Sequence, residues 1–99
     1  MASGWVGILS AELHFPEAHS LKEKRMHVRS AKEHLRNRFA AAVAEVDHHD
    51  VWQRTRLTVA VVTREAGEAE RLLADAERYL ASREWELGAV DRELVTIDE

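Results

Sequence analysis

The 99-residue chain contains no cysteine. That excludes a disulfide framework, a thiolate metal site and a thiol nucleophile. It has one proline, and its four glycines are scattered along the chain. No glycine-rich turn is therefore available to cradle a nucleotide phosphate. The N-terminal "MASGWVGILSAEL" carries no basic segment before its short apolar run, so a signal peptide is not expected. Nothing approaches the length of a membrane span. The expectation is a cytoplasmic protein.

What remains has the balance of an ordinary globular domain, with 45% hydrophobic and 32% charged residues. One domain over 1–99 is expected, with a core from about 5 to 97. The net charge of −4 conceals a segregation. Residues 20–38 hold seven Lys or Arg against Glu23 and Glu33, whereas residues 65–99 hold eleven Asp or Glu against four Arg. A basic segment of this kind can attract nucleic acid even in an acidic chain.

The periodicities give the elements. Gly7, Leu9, Ala11, Leu13 and Phe15 alternate with Val6, Ile8, Ser10, Glu12 and His14, which predicts a strand over Trp5–Phe15. Pro16 closes it. Ser20 with Glu23 three residues later forms a capping box, and Leu21, Val28, Ala31 and Leu35 make an apolar stripe. A helix to about Asn37 follows. "FAAAVAEVDHH" and "TRLTVAVVT" read as two strands of a hairpin. Residues 65–83 read as a second helix, with Ala69, Leu72, Leu73, Ala76 and Leu80 on one face and Gly88 breaking it. "AVDRELVTI" is the last strand, irregular enough to hold a bulge. The order βαββαβ with two right-handed crossovers predicts a ferredoxin-like α+β sandwich. Its four-stranded antiparallel sheet has order 4-1-3-2 and both helices on one face.

Five cations of the first helix, Lys22, Arg25, Arg29, Lys32 and Arg36, are spaced three, four, three and four apart. At 100° per residue they form one narrow strip. Cations one turn apart can track a phosphate backbone, and guanidinium groups suit phosphate. The same strip also fits a solvated flank that pairs with the acidic second helix. Lys24 lies off the strip, between Leu21 and Val28, and points towards the sheet. It must snorkel or find a carboxylate, for which Glu45, Asp47 or Asp50 at the hairpin end are better placed than Glu12.

"EVDHHDVWQR" (45–54) sits at that hairpin. In a regular strand His48 and His49 project to opposite faces and cannot chelate one ion, whereas a turn would relax that and let His14 join with Asp47 or Asp50. No standard zinc spacing is present, so no metal and no cofactor are expected. A metal-dependent hydrolase built on His14, His48 and Asp50 is the least supported reading. No serine lies in a nucleophile elbow, and Ser20 is explained by capping. Trp52 can fold back over the core or serve as a partner anchor or base-stacking platform. The open sheet face should be polar or acidic, showing Ser10, Glu12 and His14 and no aromatic from the third strand, which argues against base stacking across the sheet.

"AELHFPEAHSLKEKR" followed by "LRNRFAAAVAEVDHHDVWQR" resembles the YlxP-like family of small bacterial proteins of unknown function. The resemblance covers nearly the whole chain and is sharpest from Ala11 to Arg56. It implies a ferredoxin-like fold. Genes of that family often lie among those for transcription termination, translation initiation and ribosome maturation, which implies a link to RNA or the ribosome. It supplies no catalytic residue. Family members commonly carry glutamine where this chain has His49, so a ligand role shared by the family would rest on His48.

The expectation is thus a non-enzymatic RNA- or ribosome-associated accessory factor. Lys22, Lys24, Arg25, Arg29, Lys32 and Arg36 of the helix and His48, Asp50, Trp52 and Arg54 of the hairpin form its binding surface, with Lys22, Lys24 and Arg25 at the same end as the hairpin. The alternative is a module that pairs with itself as a homodimer, or with an acidic protein partner, through the open sheet face or an edge strand. No membrane partner is expected.

Overall fold

The computed structural model describes residues 2–98. Along them run β1 (Ala2–His14), α1 (Leu21–Phe39), β2 (Ala42–Asp47), β3 (Arg54–Thr63), α2 (Ala66–Ala81) and β4 (Glu86–Asp98). The strands form one antiparallel sheet in the order β2-β3-β1-β4, and the architecture is the ferredoxin-like α+β sandwich. Alternation along β1 sorts Leu9, Ala11 and Leu13 to the helix side, and Phe15, just past the end of the strand, is buried with them. Leu57, Val59 and Val61 of β3 do the same beside them. Val28, Ala31, Leu35 and Phe39 of α1 and Ala69, Leu73, Ala76 and Leu80 of α2 close the core from above. Each fully buried leucine among them stabilises the fold by about 1.5–3 kcal/mol.

The ends of α1 follow local chemistry. The Ser20 hydroxyl accepts from the Glu23 N–H at 3.2 Å, and the Glu23 carboxylate accepts from the His19 N–H at 3.0 Å. The helix runs past Asn37 to Phe39 because Phe39 is apolar and buried, and it ends where Ala40 turns left-handed at φ 51°. That takes Phe39 out of β2, which begins at Ala42. α2 stops at Ala81, and the Ser82 hydroxyl donates to the Tyr79 carbonyl at 2.8 Å. Gly88 therefore does not break a helix. It lies inside β4, which starts at Glu86. The register slips there, between Ala11↔Val90 and Leu13↔Leu87, and this is the irregularity expected of the last strand. Gly7 has a separate reason to lack a side chain, since a Cβ there would stand 3.1 Å from Leu73 of α2.

The other side of the sheet has no helix over it. Its half nearest the β2–β3 hairpin is polar, with Ser10, Glu12, Arg56 and Asp91. The far half is not polar or acidic as expected. Val6 stands between Val62 and Val95, and Ile8 between Ala60 and the exposed Glu93. The alternation of β1 reverses no rule here, because Val6 and Ile8 simply extend the outward-facing set with apolar side chains.

Candidate functional site

Lys24 is the structural centre of the hairpin end. Its side chain is 1% exposed. The ammonium stands 2.9 Å from Glu45 Oε2 and donates to the carbonyls of His48 and, at 3.3 Å, His49. Three donors thus meet three acceptors. Glu45 in turn accepts from the hydroxyl of Thr55, which is fully buried. Burial of Glu45 works to raise its pKa. The Thr55 hydroxyl and the Lys24 ammonium outweigh it, with His49 helping, and hold the carboxyl below the ordinary 4.5. Among the three carboxylates within the reach of Lys24, Glu45 is the partner. Lys24 is consequently withdrawn from the contact surface on which the sequence placed it, because its position on the helix turns it to the sheet.

This contact brings the start of α1 and the hairpin together. Gln53 ties the same corner to the loop before α1. Its backbone carbonyl accepts from the Phe15 N–H at 2.9 Å, and its side-chain amide donates to the carbonyls of Pro16 and Ala18, each at 3.4 Å.

The histidine pair is not in a strand. A register shift between Glu45 and Asp47 and a left-handed His48 (φ 64°) carry the chain off β2 before the pair. The expected opposition of the two rings across a regular strand therefore does not apply. His48 turns its ring over the open face, where Nε2 lies 3.2 Å from Glu12 Oε1 and 3.1 Å from Arg54 Nη2. Glu12 also takes a charge-assisted bond from Arg54 and has Arg56 Nη1 at 3.6 Å. Arg56 continues to Asp91 at 2.9 Å and to the Ser10 hydroxyl at 3.0 Å. The hydrogen bond from Arg54, with the charges of Arg54, His48 and Arg56, holds the Glu12 carboxyl low against the opposing effect of burial. His48 joins neither His14 nor Asp50 in a metal set. Among the described residues no group of three His, Asp or Glu could hold an ion. His14 lies against Gly88 instead.

The α1 strip has a different environment. Arg25, Arg29, Lys32 and Arg36 line an open groove of about 390 Å³ between α1 and the edge strand β2, with Val28, Glu33 and Glu45 as its other walls. Arg36 reaches the Val43 carbonyl at 3.1 Å. Lys22, Arg25, Arg29 and Lys32 make no ion pair among the described residues. The acidic helix does not neutralise them. Its Asp75 pairs with Arg78, and its Glu77 with Arg92 of β4.

At the hairpin tip Asp50, Val51, Trp52 and Gln53 line a shallow surface, and Trp52 is 51% exposed. Trp52 does not fold back over the core. Trp85 fills that role, with its indole N–H donating to the Leu80 carbonyl at 2.8 Å and its ring edge-on to Phe15. Arg54, placed on the same surface by the sequence, is half-exposed but engaged by Glu12. Glu12, Arg56 and Asp91 were missed because only the register of β1 with β3 and β4 brings them together.

A family model described as "Protein of unknown function (DUF503)" matches residues 6–93. The chain belongs to this family. It is the YlxP-like family of the sequence resemblance. "Uncharacterized protein YlxP" of Bacillus subtilis (strain 168) is 31% identical over 68 residues, covering 69% of this chain and 74% of that protein. The family description assigns no activity, so a functional reading must come from the geometry above. No helix among the described residues is long and apolar enough to cross a membrane.

Proposed function

We propose that this DUF503 protein is an RNA- or ribosome-associated accessory factor, non-enzymatic, that grips phosphates in the groove between α1 and β2. The observation that carries this reading is the unpaired state of Arg25, Arg29 and Lys32 in one groove, while Arg54, Arg56, Arg78 and Arg92 all have carboxylate partners. Cations left facing solvent in a row have phosphates as their natural counter-ions. Lys22 extends the row towards the helix start, and Trp52 offers a half-exposed ring for stacking at the adjoining hairpin. Glu45 adds little repulsion, since Lys24 neutralises it from inside. The buried Lys24, bonded to Glu45 and to the His48 and His49 carbonyls, is a positioning residue that ties the hairpin to the start of α1.

The test is binding of structured RNA, and separately of purified ribosomal subunits, across a salt series. Affinity should fall linearly in log–log form, and Arg25→Ala with Arg29→Ala should lower the slope by about 1.5–2. Unchanged affinity in the double variant would sink the proposal. A pull-down with and without nuclease separates RNA from protein as the captured species.

A further inference from the structure

We infer that the open face of the sheet is a homodimer interface, in which the apolar half built by Val6, Ile8, Val62, Val95 and Ile97 packs on the same residues of a second copy. Val62 is 78% exposed, Ile97 72% and Val95 41%. They are not scattered, because Val6 pairs with Val62 on one side and Val95 on the other. An apolar area this continuous on a β-sheet is a contact surface waiting for a cover. No segment among residues 2–98 covers it.

Three properties select a second copy as the occupant. The first is charge. Glu12 and Asp91 are held by Arg54 and Arg56, and the further acids of the face, Glu93 beside Ile8 and Glu86 beside His14, lie on the edge strand β4. With the sheet order β2-β3-β1-β4, a two-fold parallel to the strands lays β4 over β2 of the second copy, so these acids do not face their own images. The second is shape. A two-fold axis parallel to the strands lays apolar half on apolar half and polar half on polar half, the self-complementary arrangement of an isologous dimer. Sheets packed this way lie about 10 Å apart. The third is area. β1 and β4 are 13 residues long, β3 10 and β2 6. At about 3.3 Å per residue and 4.8 Å between strands they present roughly 650 Å² of face. That falls in the range of about 600–1,000 Å² per partner of a stable specific interface. The α1 groove lies on the other side of the sheet, so dimerisation leaves it open, and the two inferences stand or fall separately.

Sedimentation equilibrium over a wide protein concentration range tests this. A reversible dimer is expected, and Val62→Glu should weaken it about tenfold or more, with an unchanged circular dichroism spectrum. The absence of native cysteine allows a second measurement that does not depend on that variant. A single Val62→Cys should be joined across the dimer by a bismaleimide, whereas Ser30→Cys, exposed on α1, should not. A monomer at every concentration overturns the inference. So does a dimer that ignores Val62→Glu and is not joined at position 62, which would place the contact at an edge strand or a helix.

Discussion

Arg54 and Arg29 are chemically identical side chains in opposite situations. Arg54 lies on the open sheet face, bonded to Glu12 and in contact with the His48 ring. Its neighbour Arg56 shares Glu12 and continues to Asp91. Arg29 lies on α1 in a groove with Arg25, Lys32 and Arg36 and has no ion pair among the described residues. The sheet-face cations are part of a closed network whose members satisfy one another. The helix cations are held in position by the fold but not neutralised by it. These two sets of cations therefore differ in kind, one fixing the geometry of the sheet face and the other free to meet an outside anion. Lys24 is the extreme of the first kind, with every donor engaged and almost no exposure.

The largest effect on stability should come from Lys24. Lys24→Met leaves Glu45 half-buried without its counter-ion and two carbonyls at the hairpin without a donor. The expected cost is about 2–4 kcal/mol in denaturant unfolding. Adding Glu45→Gln should recover part of it. The amide oxygen still accepts from Thr55, while the uncompensated charge is gone. A Lys24→Met protein as stable as the wild type would show that the lysine is merely snorkelling, and the division drawn above would lose its clearest member.

Acid should act on the same network more gently. Glu45 and Glu12 both have their pKa values lowered by folding, Glu45 by Thr55 and Lys24 against its burial, Glu12 chiefly by the Arg54 bond. A carboxylate depressed in the folded state contributes stability above its unfolded value, and that contribution is lost as pH falls through the folded value. Stability should therefore hold steady from neutrality down to about pH 4.5 and decline below it. Glu12→Gln should flatten part of that decline in thermal melts taken between pH 3 and 6. An identical acid profile in Glu12→Gln would mean that the sheet-face network does not hold Glu12 any lower when folded than unfolded.

Much of this fold could be read from local pattern, and the limits have physical causes. The period-two alternation of β1 and the Ser20–Glu23 capping box depend on residues within a few positions of each other, and both are present as expected. The inward aim of Lys24 follows from helical spacing alone, and Glu45 was among the acceptors within its reach. The choice of Glu45 depends on the slip of β2 after that residue, and the same slip releases His48 onto the open face. Such a bulge leaves no sign in a run like "EVDHH". The Glu12–Arg54–Arg56–Asp91 network needs the registers of three strands, which a single sequence does not display. The apolar half of the open face was legible in principle. Val6 and Ile8 stand on the same side of β1 as Ser10 and Glu12, and an expectation drawn from Ser10, Glu12 and His14 does not extend to that end of the strand.

The smallest stability effect is expected where the largest functional one is proposed. Arg25 and Arg29 are exposed and unpaired, so replacing both with alanine removes no partnered charge and leaves no buried group unsatisfied. Alanine has at least the helix propensity of arginine, and removing two neighbouring cations relieves some repulsion within the strip. The double variant should therefore unfold within about 0.5 kcal/mol of the wild type, or slightly above it. Arg54→Ala provides the contrast, because it strips Glu12 of its nearest donor and should lower the thermal midpoint measurably. If Arg25→Ala with Arg29→Ala proved as damaging to stability as Arg54→Ala, the groove cations would belong to the scaffold after all. A double variant that folds normally and has lost its salt-dependent hold on RNA would mean that α1 carries charge which the fold itself does not need.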